Sequence, residues 1–220
     1  MKKPFISIII NCYNSDKFLK ETIQSVLNQT YANWELILFD NNISSIDLST
    51  NTSLIKFNGG YNPYTTLDFS NCPNIEWIGS PHGSLTSVNL TGVTLLEEVY
   101  LNNNQLTSID VSNNSSLFWL DVKYNNIISI NILNTAALQY CYVNNNQLSS
   151  LDVSGNVNLL ALDCSTNNLS TLDVSSCSSL LNFYCAYNQL TALDINNNPL
   201  LQFFNANDDL LNSFLLTNAT

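Results

Sequence analysis

The sequence predicts an α/β solenoid: stacked coils that share one continuous parallel sheet, capped by an N-terminal β-α-β unit. Two observations predict this fold. From residue 32 the chain divides into nine units of 21 residues that end at Thr220. Before that point, residues 5–31 read as a strand and a helix that lead into a second strand. A fixed period of this length is typical of proteins that stack one structural unit per repeat.

Apolar positions define the repeating unit. With its residues numbered 1 to 21, position 2 is Leu or Ile in eight of nine copies, and positions 12, 15 and 17 are apolar in every copy. Positions 5 and 7 lie two residues apart, so both point to the same side of one short strand. Each unit is therefore predicted to supply one strand and one returning segment to a common core.

Two polar positions recur with the apolar ones. Position 10 is Asn in seven copies: Asn41, Asn62, Asn104, Asn125, Asn146, Asn167 and Asn188. An amide where the chain leaves the strand can bond backbone groups of its own and the adjacent coil, which predicts a buried Asn ladder. Position 16 is Asp in six copies: Asp47, Asp68, Asp110, Asp152, Asp173 and Asp194. A calcium-binding column is one interpretation, but Asp beside Ser and Asn more often completes its own turn.

The pattern LxxLxVxxNxLxxLDVSxN across residues 32–220 resembles the leucine-rich repeat family. The resemblance implies a curved solenoid whose parallel sheet lines the concave side, with one strand per repeat. At a strand spacing of about 4.8 Å, the nine coils would form a stack roughly 40 Å long.

Positions 4, 6 and 8 flank the inward residues and are expected on the concave face. Their aromatic members, called here the aromatic stripe, are Trp77, Tyr100, Trp119, Tyr140, Tyr142, Tyr184 and Phe203. Tyr and Trp are enriched at binding hot spots, which favours a surface that recognises a protein or a glycan. The alternative is that aromatic residues simply favour strands.

The N-terminal segment carries a second resemblance. ISIIINCYN, a helix with an apolar face, and then SVLNQTYANWELILF with Asp40 resemble the start of family 2 glycosyltransferases of the GT-A fold, over residues 4–42. By that resemblance Asn11, Tyr13 and Asp40 would face the nucleotide of a sugar-nucleotide donor. Asn11-Cys12 and Asn41-Asn42 depart from the Pro-Thr and Asp-Gly of that family.

The residues that would complete such an enzyme are missing from the sequence. It holds no Asp-x-Asp motif to bind a metal, and its single histidine, His82, has no evident triad partner. Without a metal the leaving diphosphate would lack its main electrostatic aid. We therefore predict no catalytic residues, no metal site and no cofactor, with Mn²⁺ or Mg²⁺ required only if a glycosyltransferase is completed outside this chain. The favoured hypothesis is therefore a binding module, the second is a glycosyltransferase, and the third is a recombined gene that has kept no activity.

The two resemblances overlap. Residues 1–42 form the predicted transferase-like cap and residues 32–220 the nine repeats, with a shared strand at 35–39. Asn41 replaces an acidic residue of the transferase and falls on the ladder position of the repeat. This coincidence predicts one sheet that crosses the junction rather than two domains on a linker.

Composition limits the partners and the compartment. The net charge of −11 disfavours binding to nucleic acid. The apolar runs are too short to span a membrane, and MKKPFISIIINC lacks a signal-peptide cleavage site, so a cytoplasmic protein is expected. The six cysteines lack zinc-site spacing, and the repeat register places Cys141, Cys164 and Cys185 at core positions, where stacked reduced thiols are expected. The last unit, LLQFFNANDDLLNSFLLTNAT, is the most apolar and predicts an end-to-end dimer.

Overall fold

The computed structural model describes residues 5–10, 16–28, 31, 34–210 and 213–215. Within these ranges the chain forms one helix, α1 (Asp16–Leu27), and strands that lie on two sides of a solenoid. The strands are β1 (Ile6–Ile9), β2 (Trp34–Ile37), β3 (Leu54–Asn58), β4 (Thr66–Asp68), β5 (Trp77–Gly79), β6 (Ser87–Asn89), β7 (Glu98–Tyr100), β8 (Ser108–Asp110), β9 (Trp119–Asp121), β10 (Ser129–Asn131), β11 (Tyr140–Tyr142), β12 (Ala161–Asp163), β13 (Asn182–Tyr184), β14 (Ala192–Asp194), β15 (Phe203–Asn205) and β16 (Ser213–Leu215).

One parallel sheet of ten strands runs the length of the described chain, in the order β1-β2-β3-β5-β7-β9-β11-β12-β13-β15. The remaining strands pair in twos on the returning side of the coils, as β4-β6, β8-β10 and β14-β16. The α/β solenoid with a continuous parallel sheet is therefore confirmed.

The sheet crosses the junction between the two resemblances. β1 pairs in parallel with β2, and β2 with β3. β2 ends at Ile37 rather than at residue 39, but the next amides keep the ladder: the Leu38 N–H donates to the Asn58 carbonyl at 2.7 Å. Leu36 and Leu38 are fully buried at positions 5 and 7, as the repeat requires.

The Asn ladder is confirmed. Asn125 shows the pattern: its Nδ2 donates to the carbonyls of Leu101 and Val122, both at 3.0 Å, while its Oδ1 accepts the Leu106 N–H at 2.9 Å. Each amide therefore bonds its own coil and the preceding one, which satisfies backbone groups that the turn would leave buried and unpaired.

A second ladder, not predicted from the sequence, occupies position 20. Asn114, Asn156 and Asn198 are buried there, and each donates from Nδ2 to carbonyls of the preceding coil. Cys72 and Cys177 take the same position, where each thiol contacts a carbonyl one coil back. The mixture of Asn, Cys, Thr and Val at position 20 hides this column from a search for one residue type.

Both ladders end on the N-terminal unit, which takes the place of a preceding coil. Asn41 Nδ2 donates to the carbonyl of Ile10, just after β1, at 2.7 Å. Asn51 Nδ2, on the second ladder, donates to the carbonyl of Leu27, the last residue of α1, at 2.8 Å. Ile23 and Leu27 bury their side chains in the common core, so α1 covers the end of the solenoid.

The position-16 aspartates close their own turns, the interpretation favoured over calcium. Asp110 Oδ1 accepts the backbone N–H of Ser112 at 2.9 Å, and five other aspartates at this position make the same contact two residues ahead. In the part of the chain that the structure describes, no group of three or more His, Cys, Asp or Glu side chains is placed to hold a metal ion.

The cysteines that the structure describes are unpaired and buried: Cys72, Cys141, Cys164, Cys177 and Cys185. Burial raises the pKa of Cys164 well above its ordinary value, with the neighbouring Cys185 thiol as the next cause. No helix within the described ranges is long and apolar enough to cross a membrane.

Candidate functional site

The candidate site is the face of the ten-stranded sheet that points away from the hydrophobic core, called here the open face. In β7, Val99 is fully buried while Glu98 and Tyr100 on either side of it are only partly buried. Because side chains alternate along a strand, positions 4 and 6 project from the face opposite the core. The short strands place one such pair per coil, in columns set by the parallel register.

Five members of the aromatic stripe form an unbroken run across four strands. Ring centroids lie 5.5 Å apart for Trp77 and Tyr100, 5.9 Å for Tyr100 and Trp119, and 4.6 Å for Trp119 and Tyr140. Tyr142 joins the run at 5.4 Å from Trp119. These separations lie in the favourable range for aromatic pairs, so the rings support one another as a preformed surface.

The first ring of the run depends on a glycine. A Cβ at Gly79 would lie 2.2 Å from the indole of Trp77, so this indole lies over the backbone of Gly79. Gly79 is the register partner of Tyr100 on the next strand, which brings the indole beside the Tyr100 ring. The sequence signal for this contact is the glycine at position 6, two residues after Trp77.

A carboxylate lies within the aromatic run. Glu98 pairs in register with Trp77 on one side and Trp119 on the other, so its Cα lies between theirs in the position-4 column. The ring that lies between the two indoles is that of Tyr100. The Tyr100 hydroxyl donates to Glu98 Oε2 at 2.7 Å. Burial, and then this hydrogen bond, raise the pKa of Tyr100 well above its ordinary value. Tyr100 therefore stays protonated and holds the carboxylate in place.

The neighbouring coils hold a second carboxylate that already has a cation. Lys123 Nζ lies 2.8 Å from Asp121 Oδ2 and 5.7 Å from the centroid of the Tyr142 ring. Asp121 is 6% exposed, so this ion pair is shielded from water on one side. The open face thus binds one ammonium group of its own between a carboxylate and an aromatic ring.

The last two members of the aromatic stripe are set apart from the run. Tyr184 is separated from Tyr142 by Asp163 in the register of β11, β12 and β13. Phe203, on β15, is 60% exposed. The structure places all seven predicted residues on strands of the ten-stranded sheet, with five in contact and two further along it.

The transferase-like residues fall elsewhere. Asp40 is exposed at the edge where the chain leaves β2, with a φ of 57°. Its N–H donates to the carbonyl of Gly60 in the next coil at 3.0 Å. Asn11 and Tyr13 lie outside the described residues. The left-handed backbone recurs at the same position of every described coil, through Tyr61, His82 and onward to Asp208, so Asp40 has the conformation of a repeat position.

A second row of rings follows this edge and was not predicted. Phe39 and Tyr61 have centroids 4.8 Å apart, and Tyr61 stacks on His82 at 4.6 Å with planes 16° apart. The signal was present in the sequence as aromatic residues at positions 8 and 9 of adjacent units.

Comparison with known proteins separates the two parts of the chain. Residues 7–49 match the family model described as glycosyl transferase family 2. The putative glycosyltransferase EpsE of Bacillus subtilis is 51% identical over 37 residues, which cover 17% of this chain and 13% of EpsE. The N-terminal unit is thus similar to a short segment of such enzymes, and the chain spans a small part of that relative.

The solved structures that it resembles match the solenoid. The functional domain of InlJ from Listeria monocytogenes, which includes a cysteine ladder, is 27% identical with a TM-score of 0.61, over 82% of this chain and 47% of InlJ. The chain has the leucine-rich repeat fold. YopM, a leucine-rich effector protein of Yersinia pestis, is 22% identical with a TM-score of 0.69, over 81% of this chain and 56% of YopM.

Some structures with the leucine-rich repeat fold are complexes. The plant peptide hormone receptor RGFR1, solved with RGF2, is 20% identical with a TM-score of 0.56, over 79% of this chain and 36% of the receptor chain. The present leucine-rich repeat chain covers about half or less of these three neighbours, so the likeness concerns the solenoid and not their whole assemblies.

Proposed function

We propose that this leucine-rich repeat chain is a binding module that recognises a protein or glycan partner on the concave side of its sheet, through the aromatic stripe. The observation that carries the proposal is the contiguous run of five half-buried rings on the open face. The core on the other side of the sheet is already filled, since Val99, Leu120 and Cys141 between these rings are fully buried.

The energetic argument rests on what the rings gain from a partner. Each large aromatic side chain carries apolar area that is half covered in the free chain and would be covered fully by a ligand. Tyr and Trp lose little side-chain entropy on binding because they have few rotatable bonds. Neighbouring rings have already restricted one another, which lowers that cost further.

Paired replacement of Tyr140 and Tyr142 by Ala tests the proposal. The matched control replaces Tyr124 and Tyr187 by Ala, because these tyrosines are also exposed but lie on the turn edge. Both variants and the parent chain are applied to a glycan array and to an array of defined peptides. We expect the first pair to abolish binding and the second to preserve it; equal binding by all three would refute recognition through the open face.

A glycosyltransferase is the second candidate, favoured by the match of residues 7–49. In it, Asn11, Tyr13 and Asp40 would bind the nucleotide and the catalytic remainder would lie outside this chain, with Mn²⁺ or Mg²⁺ as cofactor. The test measures binding of UDP and GDP, with and without Mn²⁺, to the parent chain, Asp40→Ala and Asp208→Ala, since both aspartates share the same repeat position and backbone conformation. Nucleotide binding lost only in Asp40→Ala would support the transferase candidate, and no nucleotide binding by the parent chain would count against it.

The proposal includes a cytoplasmic setting and an end-to-end dimer. Free buried thiols suit a reducing compartment. Leu200 and Leu210, in the last described coil, are each more than half exposed, as expected of a surface that pairs with a second copy. Light scattering should report a dimer for the parent chain and a monomer for Leu210→Lys.

A further inference from the structure

The open face carries an excess of negative charge where the rings are. The charged residues at positions 4, 6 and 8 of the open face are Glu35, Lys56, Glu98, Asp121, Lys123 and Asp163, a balance of four acids against two bases. Asp121 is neutralised by Lys123, whereas Glu98 accepts its hydrogen bond from the neutral Tyr100 hydroxyl. An anionic glycan would be repelled by these carboxylates, and an uncharged glycan could donate hydrogen bonds to them but would gain no ion pair, whereas a cationic partner gains both.

Glu98 and its neighbours have the composition of a cation site. We call Glu98, Trp77, Tyr100 and Trp119 the cation cage: one carboxylate whose register partners are two tryptophans, and which accepts a hydrogen bond from the phenol that lies between their indoles. Aromatic faces attract cations through their negative quadrupole, Trp most strongly, and a carboxylate adds a charge-assisted hydrogen bond.

The open face already holds one cation between a carboxylate and an aromatic ring. One coil further along, the Lys123 ammonium contacts Asp121 and sits over the Tyr142 ring. It pairs a carboxylate, an aromatic ring and a cation, which are the elements that the cation cage offers to a ligand. The carboxylates of Asp121 and Glu98 both lie on the open face. They differ because Asp121 pairs with Lys123, whereas Glu98 has no ion-pair partner among the described residues.

We propose that the partner of the open face is an extended basic peptide segment, with an arginine side chain bound in the cation cage. This inference rests on the proposed function. Arginine fits better than lysine because its planar guanidinium stacks on indole and phenol rings while its N–H groups bond a carboxylate. The net charge of −11 draws such a segment toward the chain.

The test uses two synthetic peptides and Trp fluorescence. One nonapeptide carries three arginines separated by pairs of glycine, and the other carries citrulline at those positions, which keeps the shape and removes the charge. We expect the arginine peptide to bind and the citrulline peptide to bind at least about tenfold more weakly. Binding should weaken as salt is raised from 0.05 to 0.5 M, because screening shortens the range of the attraction.

Matched variants locate the site. Glu98→Gln keeps an acceptor for the Tyr100 hydroxyl and should weaken the arginine peptide about tenfold. Glu97→Gln removes the same charge from the adjacent exposed residue and should leave binding within about twofold. Lys123→Met frees Asp121 and Tyr142 for a second arginine and should tighten binding; weaker binding by this variant would count against the proposal.

The outcomes separate this inference from the proposed function. Equal binding of the arginine and citrulline peptides, lost in the Tyr140 and Tyr142 double variant, would overturn cation recognition while leaving a binding face. Binding of a glycan alone, again dependent on these tyrosines, would do the same. If no peptide or glycan is bound through the open face, both proposals fail.

Discussion

Replacing Asn41 by Asp should release the N-terminal unit from the solenoid. Asn41 is 3% exposed, and its Nδ2 donates to the carbonyls of Ile10 at 2.7 Å and Phe39 at 3.1 Å. An Asp side chain has almost the same shape, but it cannot donate when ionised and would place a negative charge against two carbonyl oxygens. The substitution restores the acidic residue expected of the transferase and removes the one required by the repeat.

The magnitude follows from these two contacts. A buried carbonyl that loses its hydrogen-bond donor costs about 1–3 kcal/mol. The bond to the Phe39 carbonyl is only partly buried, so water can replace part of that lost hydrogen bond. The low end for both carbonyls, with about 1 kcal/mol for burying a carboxylate, gives a total near 3 kcal/mol. With a denaturant slope of about 2 kcal/mol per molar urea, the midpoint should fall by roughly 1.5 M.

Urea unfolding and amide hydrogen exchange measure this effect together. Asn42→Asp is the matched control because Asn42 is the next residue and is exposed. We expect Asn41→Asp to lower the midpoint and to speed exchange of the Ile10 amide, which donates to Ile37 at 2.9 Å. The loss should shrink below about pH 4, where the new carboxyl is protonated. An equal midpoint for the two variants would refute the junction described here.

Three further predictions follow from buried and turn-forming side chains. Asp209 occupies the ladder position, accepts the Asn188 N–H at 3.0 Å through Oδ1 and has a buried Oδ2 without a partner, so Asp209→Asn should stabilise the chain by about 1 kcal/mol in urea unfolding at pH 7. Burial raises the pKa of Asp209, which places its destabilising charge above that pKa, so the gain should vanish when unfolding is measured near pH 3. The position-16 aspartates should stabilise the chain when ionised, because hydrogen bonds within their own turns lower the pKa of Asp110 and Asp173. This stabilisation is present above about pH 4 and is lost as the pH falls, so thermal melts from pH 7 to 2.5 should show a falling Tm. Burial raises the pKa of Cys72 and Cys141 to about 12, so thiol titration at pH 8 should find the five described cysteines unreactive until urea is added. Rapid native labelling of more than one of the six thiols in the chain would contradict the packing.

Periodicity was enough to predict the solenoid, because each coil repeats the same contacts. The inward positions around Leu36 and Leu38, the Asn ladder and the sheet that continues through β2 all follow from the 21-residue spacing. The second ladder escaped prediction because Asn and Cys both reach carbonyls of the preceding coil, while Thr135 bonds within its own coil, so its column has no common residue type.

The sequence predicted which residues lie on the open face, but not which of their side chains contact one another. Strand alternation places Trp77 and Trp119 on the open face, yet the spacing of the rings depends on how the indole of Trp77 lies over Gly79. The pairing of Lys123 with Asp121, which leaves Glu98 as the carboxylate without an ion pair, depends on side-chain reach across a single strand. Periodicity does not report such choices.

The indole N–H signals of the three tryptophans test the central claim most directly. Trp77 and Trp119 belong to the cation cage, whereas Trp34 is 2% exposed inside the junction and serves as an internal reference. In a ¹H-¹⁵N correlation spectrum, titration with the arginine peptide should shift the Trp77 and Trp119 signals along saturable curves and leave Trp34 in place. Saturable binding that moves neither of these two signals would contradict recognition on the open face.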